Sequence, residues 1–231
     1  MKVLNVIFFA ICSTCAAQYS GVKEFGYKGD ISKITKTTYF KTDLNDWSQN
    51  YAESVIGETE FFFNNENNLI KSVKHETVES YTTIYELKKG KPIRFKTFDS
   101  NNKLQNTGTY YWENDYSYAI SYKTKKDKDI HEFTINIKLK NDFNVKQAIS
   151  EQKNNDTLVF ISENFFLYDK RNYYDGYTLS ETYPLKNNTP KISNISIKND
   201  KYDRKGNLIE YEKHNDNSAT YELIKFKIEY R

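Results

Sequence analysis

The chain has 231 residues, with 34 Lys and Arg against 31 Asp and Glu for a net charge of +3, and it carries 20 Tyr and 15 Phe. At this length a folded chain buries about 70% of its unfolded surface without staples, and the aromatic content excludes a disordered tail despite a mean hydropathy of −0.82. Positive and negative residues are interspersed, which excludes the basic stripe of a nucleic-acid-binding protein.

The N-terminus, "MKVLNVIFFAICSTCAAQ", has a basic Lys2, an apolar run from Val3 to Cys12 and small residues before Gln18. These are the three regions of a secretory signal peptide, so residues 1–17 are expected to be removed after Ala17, leaving a single domain over 18–231. The apolar run is too short for a transmembrane helix, which needs about 20 residues. Neither Cys12 nor Cys15 has the preceding residues of a lipidation site. Both cysteines fall in the removed segment, so the mature chain holds no disulfide, thiolate nucleophile or zinc–thiolate site. Export without disulfides points to a bacterial periplasm, outer surface or medium.

A seven-residue pattern then recurs along the chain: "FGYKGDI" from Phe25, "FNNENNL" from Phe63, "FDSNNKL" from Phe98, "YDKRNYY" from Tyr168 and "YDRKGNL" from Tyr202. Its fifth position holds Gly29, Asn67, Asn102, Asn172 and Gly206, the residue types that most readily take positive φ. Its second position is Asn64, Asp99, Asp169 or Asp203 in four cases, side chains that fold back on the following backbone to open a turn. Aromatic or aliphatic residues flank the turn. The pattern therefore predicts structural turns, with a unit of about 35 residues repeating and one copy degenerate near "YKTKKDKDIHEF". Further turn signals, such as "KKGK" at Lys88–Lys91 and Asp175-Gly176, place a turn about every 10 to 15 residues and predict consecutive antiparallel strands.

Between these turns lie the candidate sites. "HETVE" places His75, Glu76 and Glu79 together, but a zinc-protease helix would require a second His at position 79; a solvated strand edge is the better reading. His131 and His214 have no sequence partner. "YYWENDYSYAISY" predicts two strands about a turn at Glu113–Asp115, with Tyr110, Trp112, Tyr116, Tyr118 and Tyr122 projecting to one side. Such a ladder either fills a core as cross-strand pairs or forms a stacking platform for sugar rings or a protein partner. Strand alternation is plain in Phe133, Ile135, Ile137 and Leu139, and in Ile224, Phe226, Ile228 and Tyr230. One segment, Asn141–Gln152, reads as a helix on the spacing of Phe143, Val145, Ala148 and Ile149.

"YDRKGNLIE" resembles the Tyr-Asp (YD) repeat of Rhs-type proteins, and "GYKGDISKITKTTYF" followed by such repeats resembles a group of secreted proteins from Bacteroidetes bacteria. The resemblance implies a meandering β-architecture in a cell-envelope setting, and it implies no activity. The fold expected is all-β, an antiparallel meander of repeated hairpins forming a curved or rolled sheet, either an open barrel or a short β-spiral.

No Gly-x-Ser-x-Gly elbow, phosphate loop, dinucleotide fingerprint or dense calcium loop occurs, so no cofactor or metal is expected. Three functions stay open: a non-enzymatic binding or structural module with an envelope protein or glycan as partner, a curved sheet or open barrel holding a glycan or lipid, and a hydrolase built on a carboxylate pair.

Overall fold

The computed structural model describes residues 20–42, 54–126, 129–218 and 220–231, so the expected signal segment 1–17 lies outside the described residues. A short helix, α1 (Gly21–Glu24), precedes fourteen strands: β1 (Ile31–Thr42), β2 (Ser54–Phe63), β3 (Leu69–His75), β4 (Ser80–Lys88), β5 (Lys91–Phe98), β6 (Leu104–Asn114), β7 (Ser117–Lys126), β8 (Asp129–Leu139), β9 (Val145–Asn154), β10 (Thr157–Tyr168), β11 (Tyr174–Tyr183), β12 (Asn187–Tyr202), β13 (Leu208–Asn215) and β14 (Thr220–Tyr230). Each pairs antiparallel with its neighbours in sequence, and β14 returns to pair with β1 from Ile31↔Tyr230 to Thr42↔Thr220.

The sheet is thus a closed barrel, where an open barrel or spiral was expected. The seam explains the difference: β1 and β14 have 12 and 11 residues and pair from end to end, and closing them on each other pairs the backbone groups that an open sheet would leave at its edges.

Strand alternation gives the wall two unlike faces. On β1, Ile34 and Lys36 stand beside Ile228 and Phe226 of β14 and beside Phe61 and Thr59 of β2. The same inward phase carries Tyr85, Phe95, Tyr110, Tyr122 and Phe133 around the β4–β8 wall. It continues through Phe166 and Tyr177 on the far side. Eight strands enclose a space that side chains alone can fill, and wider barrels leave a lumen. Here rings take up part of it, in contacts such as Phe95–Tyr122 at 5.9 Å and Tyr122–Phe133 at 4.8 Å.

The recurring pattern forms one kind of turn. In the β2–β3, β5–β6, β10–β11 and β12–β13 hairpins the second residue's side-chain oxygen accepts two backbone N–H groups; Asp203 Oδ1 takes Lys205 and Asn207, both at 2.9 Å. Asn64, Asp99 and Asp169 do the same. The fifth residue has positive φ: 62° at Asn67, 60° at Asn102, 65° at Asn172 and 76° at Gly206. This is a type I turn closed by a left-handed residue and a bulge. Gly29 also has positive φ, 99°, but it lies in the segment entering β1 and closes no hairpin.

Two expectations from the sequence need correction. Asn141–Gln152 is no helix: it begins in the β8–β9 turn and continues as β9. That turn is a further copy of the pattern, Leu139–Val145, with Phe143 at the left-handed position (φ 69°) and fully buried against Tyr116. An aromatic residue held in a core outweighs the usual preference for Gly or Asn there. The stretch near "YKTKKDKDIHEF" instead spans β7 and β8. Nor is the 35-residue spacing a structural unit. Three short strands, β3 to β5, separate the second and third copies, whereas two longer ones, β11 and β12, separate the last two, so equal lengths of chain lead to opposite ends of the barrel.

Candidate functional site

One end of the barrel carries the β2–β3, β8–β9, β10–β11 and β12–β13 turns, and residues 20–30 lie across it. Two of the turns hold this segment down. Asn67 accepts Val22 N–H and Ser20 Oγ on its carbonyl, both at 3.1 Å, and Ile31 N–H on its side-chain oxygen at 3.0 Å. Asn207, fully buried, holds Lys28 from the opposite side, and its Nδ2 also donates to Tyr230 Oη at 2.6 Å. Val22 and Tyr27 of the segment then form an apolar cluster with Ile31, Ile34 and Phe63. Across the barrel, Tyr118 donates its hydroxyl to Glu24. The segment is a floor, stitched to both walls.

Above it lies a cavity of about 360 Å³, within the range of small-molecule sites. Its walls are Phe61, Phe166, Tyr174, Tyr211 and Phe226, with Phe25 and Tyr27 of the floor segment below and Lys36 on β1. Burial, the largest cause in each case, raises the pKa of Tyr27, Tyr174 and Tyr211, so the phenols stay neutral. The lining includes a single carboxylate, Glu24, which is already bonded to Tyr118. Burial also lowers the Lys36 pKa; nearby Lys213 adds to that shift and Glu222 opposes it.

The expected aromatic platform is brought together, but inside. Tyr110 faces Ile120, Trp112 faces Tyr118, and Tyr122 faces Gly108, all on the inward phase. Tyr118 is 5% exposed and packs at a tilt, 4.4 Å between centroids, on Trp112, whose indole N–H donates to the Pro92 carbonyl at 2.8 Å. Tyr116 sits in the turn itself, since β6 runs to Asn114, and packs on Phe143. The ring of this stretch that faces water is Tyr111, 60% exposed, which the sequence reading passed over. On the inner, concave face Tyr110 and Tyr122 line a second cavity with Tyr85 and Phe95, while Tyr118 is packed away beneath Trp112. His75 bonds Ser80 and lies 3.6 Å from Glu60, His131 bonds Asn154, and His214 stacks on Tyr221 beside Glu212; each is satisfied locally.

The cavity residues Lys36, Phe166, Tyr174 and Tyr211 were missed by sequence reasoning. On β1 the two faces read Ile34, Lys36, Thr38 and Lys33, Thr35, Thr37, so alternation alone does not distinguish in from out. Phe226 lay within the alternating run Ile224 to Tyr230, which was the available signal.

The outer face is the decisive feature. Mid-strand positions pointing outward include Glu60, Arg94, Lys123, Glu163, Glu212 and Lys225. Several pair across strands, as in Lys33–Glu60 and Lys123–Glu132, and Gln147 donates to Glu163 at 2.6 Å. A barrel in a bilayer presents an apolar band about 25 Å tall, and each Arg or Lys facing the midplane costs about 2–4 kcal/mol. Arg94, Lys123 and Lys225 alone would cost about 6–12 kcal/mol there, comparable with the whole stability of a typical domain, about 5–15 kcal/mol, although exposed Ile84, Tyr111, Phe165 and Leu167 also face outward between them. Separately, no helix among the described residues is long and apolar enough to cross a membrane.

Neither a protein-family model nor a curated protein matches the chain. Among solved structures, a porin-like protein from Bacteroides vulgatus ATCC 8482 superposes with a TM-score of 0.53 at 10% identity, over 88% of this chain and 99% of that one. This likeness shows the fold. A porin-like protein from Bacteroides uniformis ATCC 8492, at 8% identity, covers 86% of this chain and 96% of its own with a TM-score of 0.37.

Proposed function

We propose that the chain is an exported, non-enzymatic binding barrel of the cell envelope that holds an apolar molecule in its aromatic lumen while its charged outer wall stays in water. The observation that carries this reading is the polarity of the two faces: rings of Phe166, Tyr174, Tyr211 and Phe226 surround a cavity, and charged side chains face outward from the same strands. Removing apolar surface from water stabilises such a complex by about 25 cal/mol per Å². Export is supported by the three-part pattern of residues 1–17, and an envelope setting agrees with the porin-like description of the Bacteroides vulgatus neighbour. The shared geometry of the hairpin turns supports a common YD-like ancestry for the hairpins. A hydrolytic carboxylate pair gains no support at this cavity, whose described lining residues include no carboxylate besides Glu24.

The test is titration of the mature chain, residues 18–231, with the neutral fluorophore N-phenyl-1-naphthylamine. Saturable binding that weakens in Phe166→Ala and Tyr211→Ala variants is expected. Absence of saturable binding by a folded barrel overturns the reading.

A further inference from the structure

Lys36 occupies the inward face of β1, between Thr59 and Phe226, and lines the cavity with Phe166, Tyr174 and Tyr211. The acid whose field reaches it, Glu222, is engaged elsewhere: Lys213 Nζ lies 3.1 and 3.3 Å from its two oxygens. Among the described residues no hydrogen bond or ion pair reaches the Lys36 ammonium. This part of the lumen therefore holds two cations, Lys36 and Lys213, against one anion. A largely buried ammonium without a counterion is unfavourable, and burial depresses its pKa accordingly. A ligand that brings one negative charge removes that penalty, and the rings beside Lys36 cover whatever apolar body is attached.

We propose that the lumen takes a monocarboxylate amphiphile, its carboxylate paired with Lys36 Nζ and its apolar body laid against Phe166, Tyr174, Tyr211 and Phe226. The inference rests on the reading of the lumen as an apolar-ligand site and adds the class of head group. Of the other cations at or near the lining, Lys213 is engaged by Glu222, Arg171 is paired with Asp169 and Lys28 lies over the Tyr173 ring, so the Lys36 ammonium matches one negative charge.

Calorimetric titration of the mature chain with dodecanoate and with dodecan-1-ol tests it, using the wild type, Lys36→Met and Lys36→Arg. The wild type is expected to bind dodecanoate about tenfold or more tightly than the alcohol, the range of a charge-assisted hydrogen bond. Lys36→Met should abolish that preference by weakening dodecanoate binding to the level of the alcohol, and Lys36→Arg should retain it. Because Lys36→Met removes an uncompensated buried charge, its unliganded melting temperature should equal or exceed that of the wild type; a lowered one means that Lys36 already has a counterion and overturns the proposal. Equal binding of the two probes by the wild type, or a preference that survives Lys36→Met, overturns the head-group assignment and leaves the lumen reading standing. Failure of both probes to bind overturns the lumen reading and this inference with it.

Discussion

Asn207, in the last of the patterned hairpin turns, holds both backbone polar groups of Lys28, 179 residues earlier: its Oδ1 accepts the Lys28 N–H at 2.7 Å and its Nδ2 donates to the Lys28 carbonyl at 2.8 Å. The floor segment thereby gains at this point the pairing that a sheet partner would provide. Replacing Asn207 by Ala removes the partner of both backbone groups of Lys28 at a part-buried contact and leaves a void where the buried amide stood. A loss of about 2–4 kcal/mol is expected, measured by urea denaturation, together with faster amide exchange at Lys28. An unchanged midpoint would show that water replaces the Asn207 amide without cost.

Glycine positions separate backbone strain from packing. Gly206 has a φ of 76°, so Gly206→Val should destabilise by about 1 kcal/mol or more. Gly57, in β2, has ordinary φ, and a Cβ at that position would meet nothing within 4 Å. Gly57→Val is expected to be neutral or mildly stabilising, since a β-branched residue suits a strand. Equal destabilisation at both sites would contradict the left-handed role of Gly206.

A different constraint acts at Gly108, where the Phe95 ring lies over the backbone and a Cβ would come within 2.1 Å of its Cε1. Phe95 also contacts Tyr110 and Tyr122. Gly108→Ala should therefore cost about 1–3 kcal/mol through displacement of that ring, and Phe95→Leu in the same chain should restore part of it. A lack of coupling in this double-mutant cycle would count against the contact.

Alkaline pH should unfold the barrel. Burial raises the pKa of Tyr27, Tyr110, Tyr174 and Tyr211 above the ordinary value near 10. The unfolded chain loses these protons first, so their contribution to stability is complete below pH about 10 and is lost as pH rises toward the folded-state values. The urea midpoint is expected to fall between about pH 9 and pH 11.5, and absorbance at about 295 nm should show a group of tyrosines ionising only with unfolding. A flat midpoint across that interval would mean that these phenols titrate as they do in the unfolded chain.

Trp112→Ala and Tyr118→Ala test the placement of the aromatic stretch. Both rings face inward and pack on each other, so each truncation should cost about 3–5 kcal/mol in a melting experiment. Full thermal stability in either variant would place that ring outside the packed interior.

The all-β meander was legible because turn chemistry is local: Asp203 and Gly206, or Asn64 and Asn67, set their hairpins within seven residues of chain. Closure was not, because it depends on the pairing of β1 with β14 across the whole sequence, and no residue in either strand encodes its partner. The fate of Tyr110, Trp112 and Tyr118 was half legible. Alternation put them on one face, but which face a barrel encloses follows from curvature and closure. Lys36 stayed hidden for a further reason: Lys33, three residues before it, is chemically the same and points the other way.

The seam between β1 and β14 also sets a timetable. Translation delivers β1 first and β14 last among the strands of the wall, so the inner rings cannot be sealed until β14 has emerged, and a chain stopped after β13 has two raw edges with an apolar trough between them. Arg231, directly after β14, bonds the Asp30 carbonyl through its backbone N–H at 3.1 Å and the Phe63 and Asn64 carbonyls through its guanidinium, so it latches the two sides of the seam together. Until then the chain is a strip with its inner rings open to water.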